Sequence, residues 1–244
     1  MTYCVAMRLE EGLLFVSDSR TNAGIDHIAT FRKLHRFGIP GERLLVIQTA
    51  GNLATSQAVV TQLFHRIQAD IGTHLNNVPT LFEAASLIGE TMREVMQRTA
   101  ALSKVDEYDF SSSILLGGQI KGQPTELYNI YPQGNFIAAT ADTPYFQIGE
   151  SKYGKPIIDR VLRPHTPIDE AAKCALISMD STIRSNLSVG LPIDVAILKR
   201  DHLKLSMRYR VTEEDAYFQG IRKAWGQGLR QVFQGLPQPE WFHN

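Results

Sequence analysis

Cysteine is scarce in this sequence. Cys4 and Cys174 are the only two thiols among 244 residues, and neither belongs to a C-x-x-C pair. The seven His residues are scattered, without the H-x-x-x-H spacing of a helical metal site. A disulfide framework and a zinc site both need ligands at closer spacing than these. We therefore expect no metal and no cofactor.

The sequence also lacks an excess of either charge and any long apolar run. Its 25 Lys and Arg balance 25 Asp and Glu, so nothing predicts the basic face that a nucleic-acid partner requires. No stretch reaches the roughly 20 apolar residues of a membrane span. The chain does not begin with a basic leader and an apolar core. We therefore predict a cytoplasmic protein that binds neither nucleic acid nor membrane.

Hydrophobic periodicity predicts an ordered succession of strands and helices. Alternating patterns bounded by turn residues predict strands at 2–9, 13–18, 31–37, 43–49, 112–118, 125–131, 136–140, 145–149, 193–199 and 202–210. Helical spacing predicts helices through 60–71, over 80–102 behind a Thr80–Glu83 capping box, from Thr166-Pro167 to Ile183, and from Thr212 onward with Phe218, Ile221, Trp225 and Leu229 inward.

The order of these elements indicates the fold class. Runs of strands and runs of helices are segregated, which is typical of α+β rather than of alternating βαβ units. Two antiparallel sheets packed face to face, with helices outside, would account for the order. We predict one domain over 1–244, with a C-terminal helix and tail at about 212–244.

Thr2 follows Met1 directly and opens the first predicted strand. Thr is small enough for removal of Met1 to be the expected processing, which would leave Thr2 with a free α-amine. A hydroxyl is a weak nucleophile until a base takes its proton. An α-amine with a pKa of roughly 8 can be that base near working pH. One residue could thus supply nucleophile and base, although many proteins begin Met-Thr.

Three further motifs lie downstream at defined spacings. Asp18-Ser19-Arg20 ends the second strand, Lys33 lies on the third, and Ala50-Gly51 leads from the fourth into a helix. Together with the N-terminal Thr they resemble a proteasome β-type subunit. The start at 2–6, the segment 18–24 and the long C-terminal tail most resemble the Anbu, or ancestral β-subunit, branch. This resemblance implies the N-terminal-nucleophile hydrolase fold, a four-layer αββα sandwich.

The resemblance also implies roles for individual residues. Thr2 would attack the peptide carbonyl, with its own α-amine as general base. Lys33 would lie beside the hydroxyl and favour its deprotonated form, and Asp18 would keep Lys33 charged and oriented. Gly51 would supply a backbone N–H to the oxyanion. An ordinary cross-strand ion pair is the alternative interpretation for Asp18 and Lys33, and a plain strand-to-helix turn is the alternative for Gly51.

Other residues are implied to bind substrate or to support the nucleophile. The backbones of Asn22 and Gly51, next to Thr49, would hold a peptide as an added strand. Ser188 matches the Ser of a supporting loop of Asp-x-x-Ser-Gly form. The sequence departs from the family pattern at three positions. Ser185 stands where that loop has Asp, and Val189 stands where it has Gly. Glu150 stands where a further supporting Ser is found, unless Ser151 shifts into its place.

The resemblance implies a threonine-type peptidase subunit in a large ring-like or spiral homo-oligomer that acts on peptides or unfolded proteins. It leaves any unfoldase partner unspecified. The apolar residues Trp241 and Phe242 indicate a packing or subunit-contact tail, with a disordered end as the alternative. Two other functions stay open: an N-terminal-nucleophile amidase acting on small amides, and a structural subunit that has lost turnover.

Overall fold

A computed structural model describes residues 2–22, 28–102 and 109–243 of the chain. Met1, and Ala23 and Gly24 of the motif after Asp18, lie outside the described residues. The strands are β1 (Tyr3–Leu9), β2 (Gly12–Asp18), β3 (Arg20–Asn22), β4 (Ile28–Thr30), β5 (Leu34–Ile39), β6 (Arg43–Gly51), β7 (Ser112–Ile120), β8 (Glu126–Ile130), β9 (Phe136–Ala138), β10 (Tyr145–Gly149), β11 (Ile193–Lys199) and β12 (Met207–Val211). The α-helices are α1 (Leu53–Ala69), α2 (Leu81–Leu102), α3 (Lys155–Val161), α4 (Ile168–Ser185) and α5 (Ala216–Gly235), followed by a short 3-10 helix at Glu240–His243.

The strands form two five-stranded antiparallel sheets and a short ribbon. The first sheet has the order β10-β1-β2-β11-β12, and the second has the order β5-β6-β7-β8-β9. The ribbon pairs β3 with β4. Both sheets bury two faces, which explains the nearly continuous burial along β2 and β6.

Three apolar clusters define the layers. One lies between the two sheets and includes Phe15 and Val46. A second lies between the first sheet and α3, α4 and the start of α5. The third lies between the second sheet and the pair α1 and α2. The molecule is therefore an α+β four-layer αββα sandwich with two antiparallel sheets, as the sequence predicts.

Local sequence explains where two of the helices begin. Asn52 is the N-cap of α1, because its side chain accepts a hydrogen bond from the backbone N–H of Thr55 at 3.1 Å. At α2 the predicted capping residues do meet: the Thr80 hydroxyl accepts from the Glu83 backbone N–H at 3.3 Å. The same hydroxyl donates to the Glu83 carboxylate, so this contact differs from the reciprocal capping box.

Several predicted boundaries differ from the structure. Helix α5 starts at Ala216 rather than Thr212, because Asp215 is its N-cap and accepts from the Phe218 N–H at 2.7 Å. Leu229 was predicted to face inward, and this is wrong, because its side chain is 53% exposed. The ribbon and α3 have no counterpart among the predicted elements, since three to seven residues carry too short a periodic signal.

Among the described residues, no helix combines the length and apolar character needed to cross a bilayer. The same part of the chain contains no group of three or more His, Cys, Asp or Glu arranged to hold a metal ion.

Candidate active site

Thr2 lies where several strand ends of the first sheet meet. Strand β1 begins at Tyr3, β2 ends at Asp18, and β10 ends at Gly149, which pairs with Tyr3. The Thr2 carbonyl accepts a hydrogen bond from the Glu150 N–H at 2.7 Å. Gly149 has φ +82°, and a Cβ at this position would lie 1.9 Å from the Thr2 carbonyl oxygen. Only glycine therefore allows the chain to approach Thr2 this closely.

Asp18 joins the first strand to Lys33 through a single oxygen atom. Its Oδ1 accepts from the backbone N–H of Tyr3 at 3.0 Å and from the Lys33 ammonium at 2.7 Å. Asp18 is 0% and Lys33 is 3% exposed, so this is a buried ion pair. The carboxylate thus holds the ammonium next to the peptide bond between Thr2 and Tyr3.

Lys33 is fixed by more than its carboxylate partner. Its ammonium also donates to the Arg20 carbonyl at 2.6 Å, and its own carbonyl accepts from the Thr49 N–H at 3.0 Å. Lys33 precedes β5, which begins at Leu34, rather than lying inside the strand as predicted. The contacts position one compact cation at the junction of β3, β5 and β6.

The electrostatics of the pair are set by burial and by its immediate donors. Burial raises the pKa of the Asp18 carboxyl. The Lys33 ammonium and the amides of Tyr3 and Gly190 act in the opposite direction, because they stabilise the charged carboxylate. The nearby Cys4 thiol is fully buried, and this burial raises its pKa and keeps it protonated. Cys4 therefore lacks the thiolate that a nucleophile needs.

The end of β6 lies against the same region. Cys4 Sγ lies 3.7 Å from the Thr49 carbonyl oxygen, and the Gln48 side chain donates to the Val16 carbonyl at 2.9 Å. These contacts between the sheets bring Gly51 to the end of the sandwich that contains Thr2. Gly51 is exposed with φ +104°, and a Cβ there would meet the Ser111 carbonyl oxygen at 2.5 Å.

The residues predicted to support the nucleophile occupy different surroundings. Ser185 is the exposed last residue of α4, and Ser188 lies partly buried in the loop that follows. The backbone carbonyl of Ser151 accepts from the Lys155 N–H at 3.1 Å, so Ser151 belongs to the turn that leads into α3. Glu150 is hydrogen-bonded to Thr2 through its backbone N–H, which donates to the Thr2 carbonyl. Asn22 lies on the β3–β4 ribbon opposite Ile28.

Sequence reasoning did not identify two residues of this region. Asn186 donates from its side chain to Glu150 Oε2 at 2.9 Å, and Tyr3 places its hydroxyl 3.1 Å from Ser178 Oγ on α4. Both contacts join residues far apart in the chain. Tyr3 and Asn186 lie inside stretches that carry the family resemblance, but the resemblance assigns neither side chain a role. No local signal predicts these two contacts.

The proteasome subunit family matches residues 2–198 of the chain. Anbu (ancestral β-subunit) from Yersinia bercovieri is 60% identical, with a TM-score of 0.92 over 98% of this chain and 99% of that one. The structure described as the helical assembly of the Anbu complex from Pseudomonas aeruginosa is 59% identical, with a TM-score of 0.93 over 99% of this chain and 100% of that one.

A third similar structure is the Anbu (Gly-1) mutant from Hyphomicrobium sp. strain MC1, which is 46% identical. It has a TM-score of 0.92, over 98% of this chain and 100% of that one. Comparison with curated proteins gave no match. The family match and these nearly full-length similarities agree with the resemblance read from the sequence motifs. The chain therefore belongs to the proteasome subunit family, in its Anbu (ancestral β-subunit) branch.

Proposed function

We propose that the chain is a threonine-type peptidase subunit whose nucleophile is Thr2 after removal of Met1. One observation carries this proposal: Asp18 Oδ1 accepts from both the Tyr3 N–H and the Lys33 ammonium. A structural ion pair would not need to include the peptide N–H next to an N-terminal hydroxyl. The contact supports a role for Lys33 at the hydroxyl of Thr2.

The proposed reaction uses Thr2 as nucleophile and base. Its Oγ1 forms a bond to the peptide carbonyl carbon while the α-amine, directly or through a water, takes the hydroxyl proton. The amine passes that proton to the leaving amine as the C–N bond breaks, which leaves an ester on Thr2. A water then attacks the ester, and the same amine takes its proton and returns it to Oγ1 as the acid product departs.

Charge stabilisation comes from two groups. The Lys33 ammonium favours the deprotonated oxygen of Thr2, and Asp18 holds that ammonium in place through a hydrogen bond of 2.7 Å. The backbone N–H of Gly51 is proposed as the donor to the oxyanion, since a glycine with positive φ leaves the backbone at this strand end exposed. The backbones of Asn22, Thr49 and Gly51 are proposed to hold the peptide as an added strand.

The proposed assembly is a large homo-oligomer made through copies of this chain. The similar P. aeruginosa protein forms a helical assembly. In this chain, the second half of α5 and its C-cap residue Leu236 present an apolar face to solvent. Its residues are Leu229, Val232, Phe233 and Leu236, exposed by 53%, 66%, 77% and 57%. Residues at this spacing share one side of a helix and are typical of a helix-to-helix contact. We propose a second copy as its partner, with the single-domain subunit 1–244 as the repeating unit.

The first experiment is covalent labelling with an inhibitor that reacts with a 1,2-amino alcohol. Native protein should lack Met1 by intact mass, and the inhibitor should attach to Thr2 through both oxygen and nitrogen. Thr2→Ala should remain folded and should lose all labelling. Unchanged labelling of Thr2→Ala would sink the proposal, because the reactive group would then lie elsewhere.

A subunit without turnover is the second candidate function. Ser185 is exposed at the end of α4, and the residue whose backbone N–H donates to the Thr2 carbonyl is an acidic one, Glu150. Both observations describe a nucleophile whose supporting groups differ from those that the family resemblance implies. Hydrolysis of a peptide library, measured beside a panel of small amides, separates the three functions: peptide cleavage, small-amide cleavage, or neither.

A further inference from the structure

Glu150 places an acidic side chain in the interior beside Thr2. The residue follows β10 directly, and its backbone N–H is bonded to the Thr2 carbonyl at 2.7 Å. The residue as a whole is only 6% exposed. A carboxylate in such a position loses hydration and requires compensating hydrogen bonds or an opposite charge.

The two carboxylate oxygens of Glu150 are compensated unequally. Oε2 accepts from the Asn186 side-chain amide at 2.9 Å. Oε1 is buried and has no hydrogen-bond partner among the described residues. The Lys152 ammonium lies 3.8 Å from Oε1, beyond hydrogen-bond length, and its side chain is 77% exposed. One buried acceptor next to Thr2 is therefore open to a further donor.

We propose that Glu150 Oε1 receives the α-ammonium of Thr2 once Met1 has been removed. The α-nitrogen belongs to the same residue whose carbonyl is bonded to Glu150, so it lies within reach of a Glu side chain. The ammonium supplies both the missing donor and the missing charge. Glu150 is then a positioning residue that controls the proton of the catalytic amine. This inference rests on the free Thr2 amine of the proposed function.

The charges around the amine determine the direction of its pKa. The elements that surround Thr2 contribute the following charged side chains: Asp18, Arg20, Lys33, Glu150 and Lys152. Lys33 and Asp18 compensate each other at 2.7 Å, while the Arg20 guanidinium is directed to the Leu187 carbonyl. The charge of Lys152 is largely hydrated, so Glu150 contributes a net negative charge that favours the ammonium form.

This arrangement predicts a nucleophile that is restrained at neutral pH. The amine can accept the hydroxyl proton only when it is neutral. If Glu150 raises the pKa of the amine above its ordinary value of about 8, acylation increases as pH rises through the raised pKa. The same site would be reactive at neutral pH if the carboxylate were replaced by a neutral isostere.

The test measures the amine directly. Intact and N-terminal-peptide mass spectrometry follows the reaction of the Thr2 amine with an amine-acylating reagent across pH. In the wild-type protein, the pH midpoint of the amine reaction should lie above that of a synthetic peptide of residues 2–6. Glu150→Gln should lower the midpoint by about one unit, since an opposite charge at close range shifts a pKa by about 1–3 units. Amine reactivity at neutral pH should then rise about tenfold.

Lys152→Ala is the matched control, because it removes the hydrated charge beside Oε1 and keeps Glu150. Its midpoint should stay within a few tenths of a unit of wild type or move upward. Equal midpoints in wild type and Glu150→Gln would overturn the inference. Retention of Met1 in native protein would also do so, as would a wild-type midpoint no higher than that of the peptide, a comparison that does not depend on folding of any variant.

The readout does not depend on peptide hydrolysis. If the midpoint depends on Glu150 but no peptide is cleaved at any pH, the peptidase proposal fails and the role of Glu150 stands. If peptides are cleaved through Thr2 but Glu150→Gln leaves the midpoint unchanged, only the role of Glu150 fails. The two proposals are therefore separable in one set of proteins.

Discussion

The Thr2 end of the sandwich buries charged side chains, whereas the second half of α5 exposes apolar ones. At the first, Asp18 and Lys33 are charged and almost completely buried. At the second, large apolar side chains such as Phe233 are exposed to solvent. Neither arrangement optimises the stability of an isolated subunit, because burying ions and exposing apolar surface both cost free energy. The buried charges point to chemistry, and the exposed apolar face points to a contact with another molecule.

Helix α5 itself contains this contrast along its length. Its first half is attached to the body by Phe218, which is 1% exposed, and by an ion pair between Arg222 and Asp180 of α4 at 2.5 Å. Within α5, Phe218 alone is buried. The second half therefore extends an apolar face that the rest of the described chain does not cover. The anchored half orients the helix, and the other half is available for assembly.

Replacing the buried cation should have the largest effect. Lys33→Ala removes the ammonium proposed to stabilise the Thr2 oxygen, so the acylation rate should fall at least about a hundredfold. Loss of one such electrostatic partner usually costs about 2.7–4 kcal/mol of transition-state stabilisation. The change also leaves the Asp18 carboxylate buried and unpaired, which should cost about 3–5 kcal/mol of stability. Acylation by the threonine-directed inhibitor and urea unfolding measure the two effects.

Two variants sharpen this prediction. Lys33→Arg keeps the charge but should not restore the rate, because a planar guanidinium cannot replace a compact ammonium in a site that is 3% exposed. Lys223→Ala, at an exposed position in the first half of α5, removes the same side-chain type and should leave rate and stability within experimental error. A near-normal rate in folded Lys33→Ala would leave only the structural ion-pair interpretation.

The exposed end of α5 should respond in assembly rather than in folding. Phe233→Asp places a charge in the middle of the apolar face, where it would be desolvated against a second copy. Mass photometry should show loss of the large oligomer. Subunit stability should change by less than about 0.5 kcal/mol, since the side chain is already 77% exposed.

Gln227→Asp provides the matched control on the same helix. It introduces the same charge at an exposed position away from the apolar face, and the oligomer should persist. If Phe233→Asp assembles like wild type while Gln227→Asp does too, the apolar face is not the subunit contact. Loss of assembly in both variants would instead indicate a general effect of charge on α5.

The contrast also explains which features could be predicted from the sequence. The positions of Asp18, Lys33 and Gly51 follow from motifs at strand ends, and the α+β order follows from periodicity that each element carries within itself. Leu229 is different, because the helical pattern identifies an apolar face but not what covers it. A face directed to the core and a face directed to another subunit have the same sequence pattern.

Contacts between distant residues could not be predicted for a related reason. The Glu150–Asn186 bond joins the end of β10 to the loop after α4, and the Asp180–Arg222 pair joins two helices. Asp180 and Arg222 lie in no local motif. Glu150 and Asn186 lie in loops that the family resemblance singles out, but nothing local indicates that the two side chains meet, so only the packing of layers brings each pair together. The sequence thus singles out Thr2 and Lys33, and it marks Glu150 as a departure from the family pattern. It does not predict the role that we propose for Glu150 beside the Thr2 amine.

The smallest expected effect at the Thr2 end of the sandwich concerns the buried hydroxyl of Tyr3. Burial raises the pKa of its hydroxyl well above the ordinary value of about 10, against the opposing hydrogen bonds with Ser178 and Gln147. The pKa of Tyr3 is higher in the folded than in the unfolded protein. Its contribution to the free energy of unfolding is therefore fully present below about pH 10 and is lost as pH rises towards the folded pKa. Urea unfolding from about pH 8 to about pH 11 should show this decline in wild type.

Tyr3→Phe should weaken that decline and lower stability at neutral pH by about 1 kcal/mol, the usual contribution of one hydrogen bond. Ser178 keeps a bond to the Ala175 carbonyl at 2.7 Å, so the loss falls mainly on Gln147. Tyr217→Phe, at an exposed position on α5, should change neither quantity. Equal slopes in wild type and Tyr3→Phe would mean that the alkaline decline arises from other groups. Burial of the Tyr3 hydroxyl would then not be the cause of the loss of stability at alkaline pH.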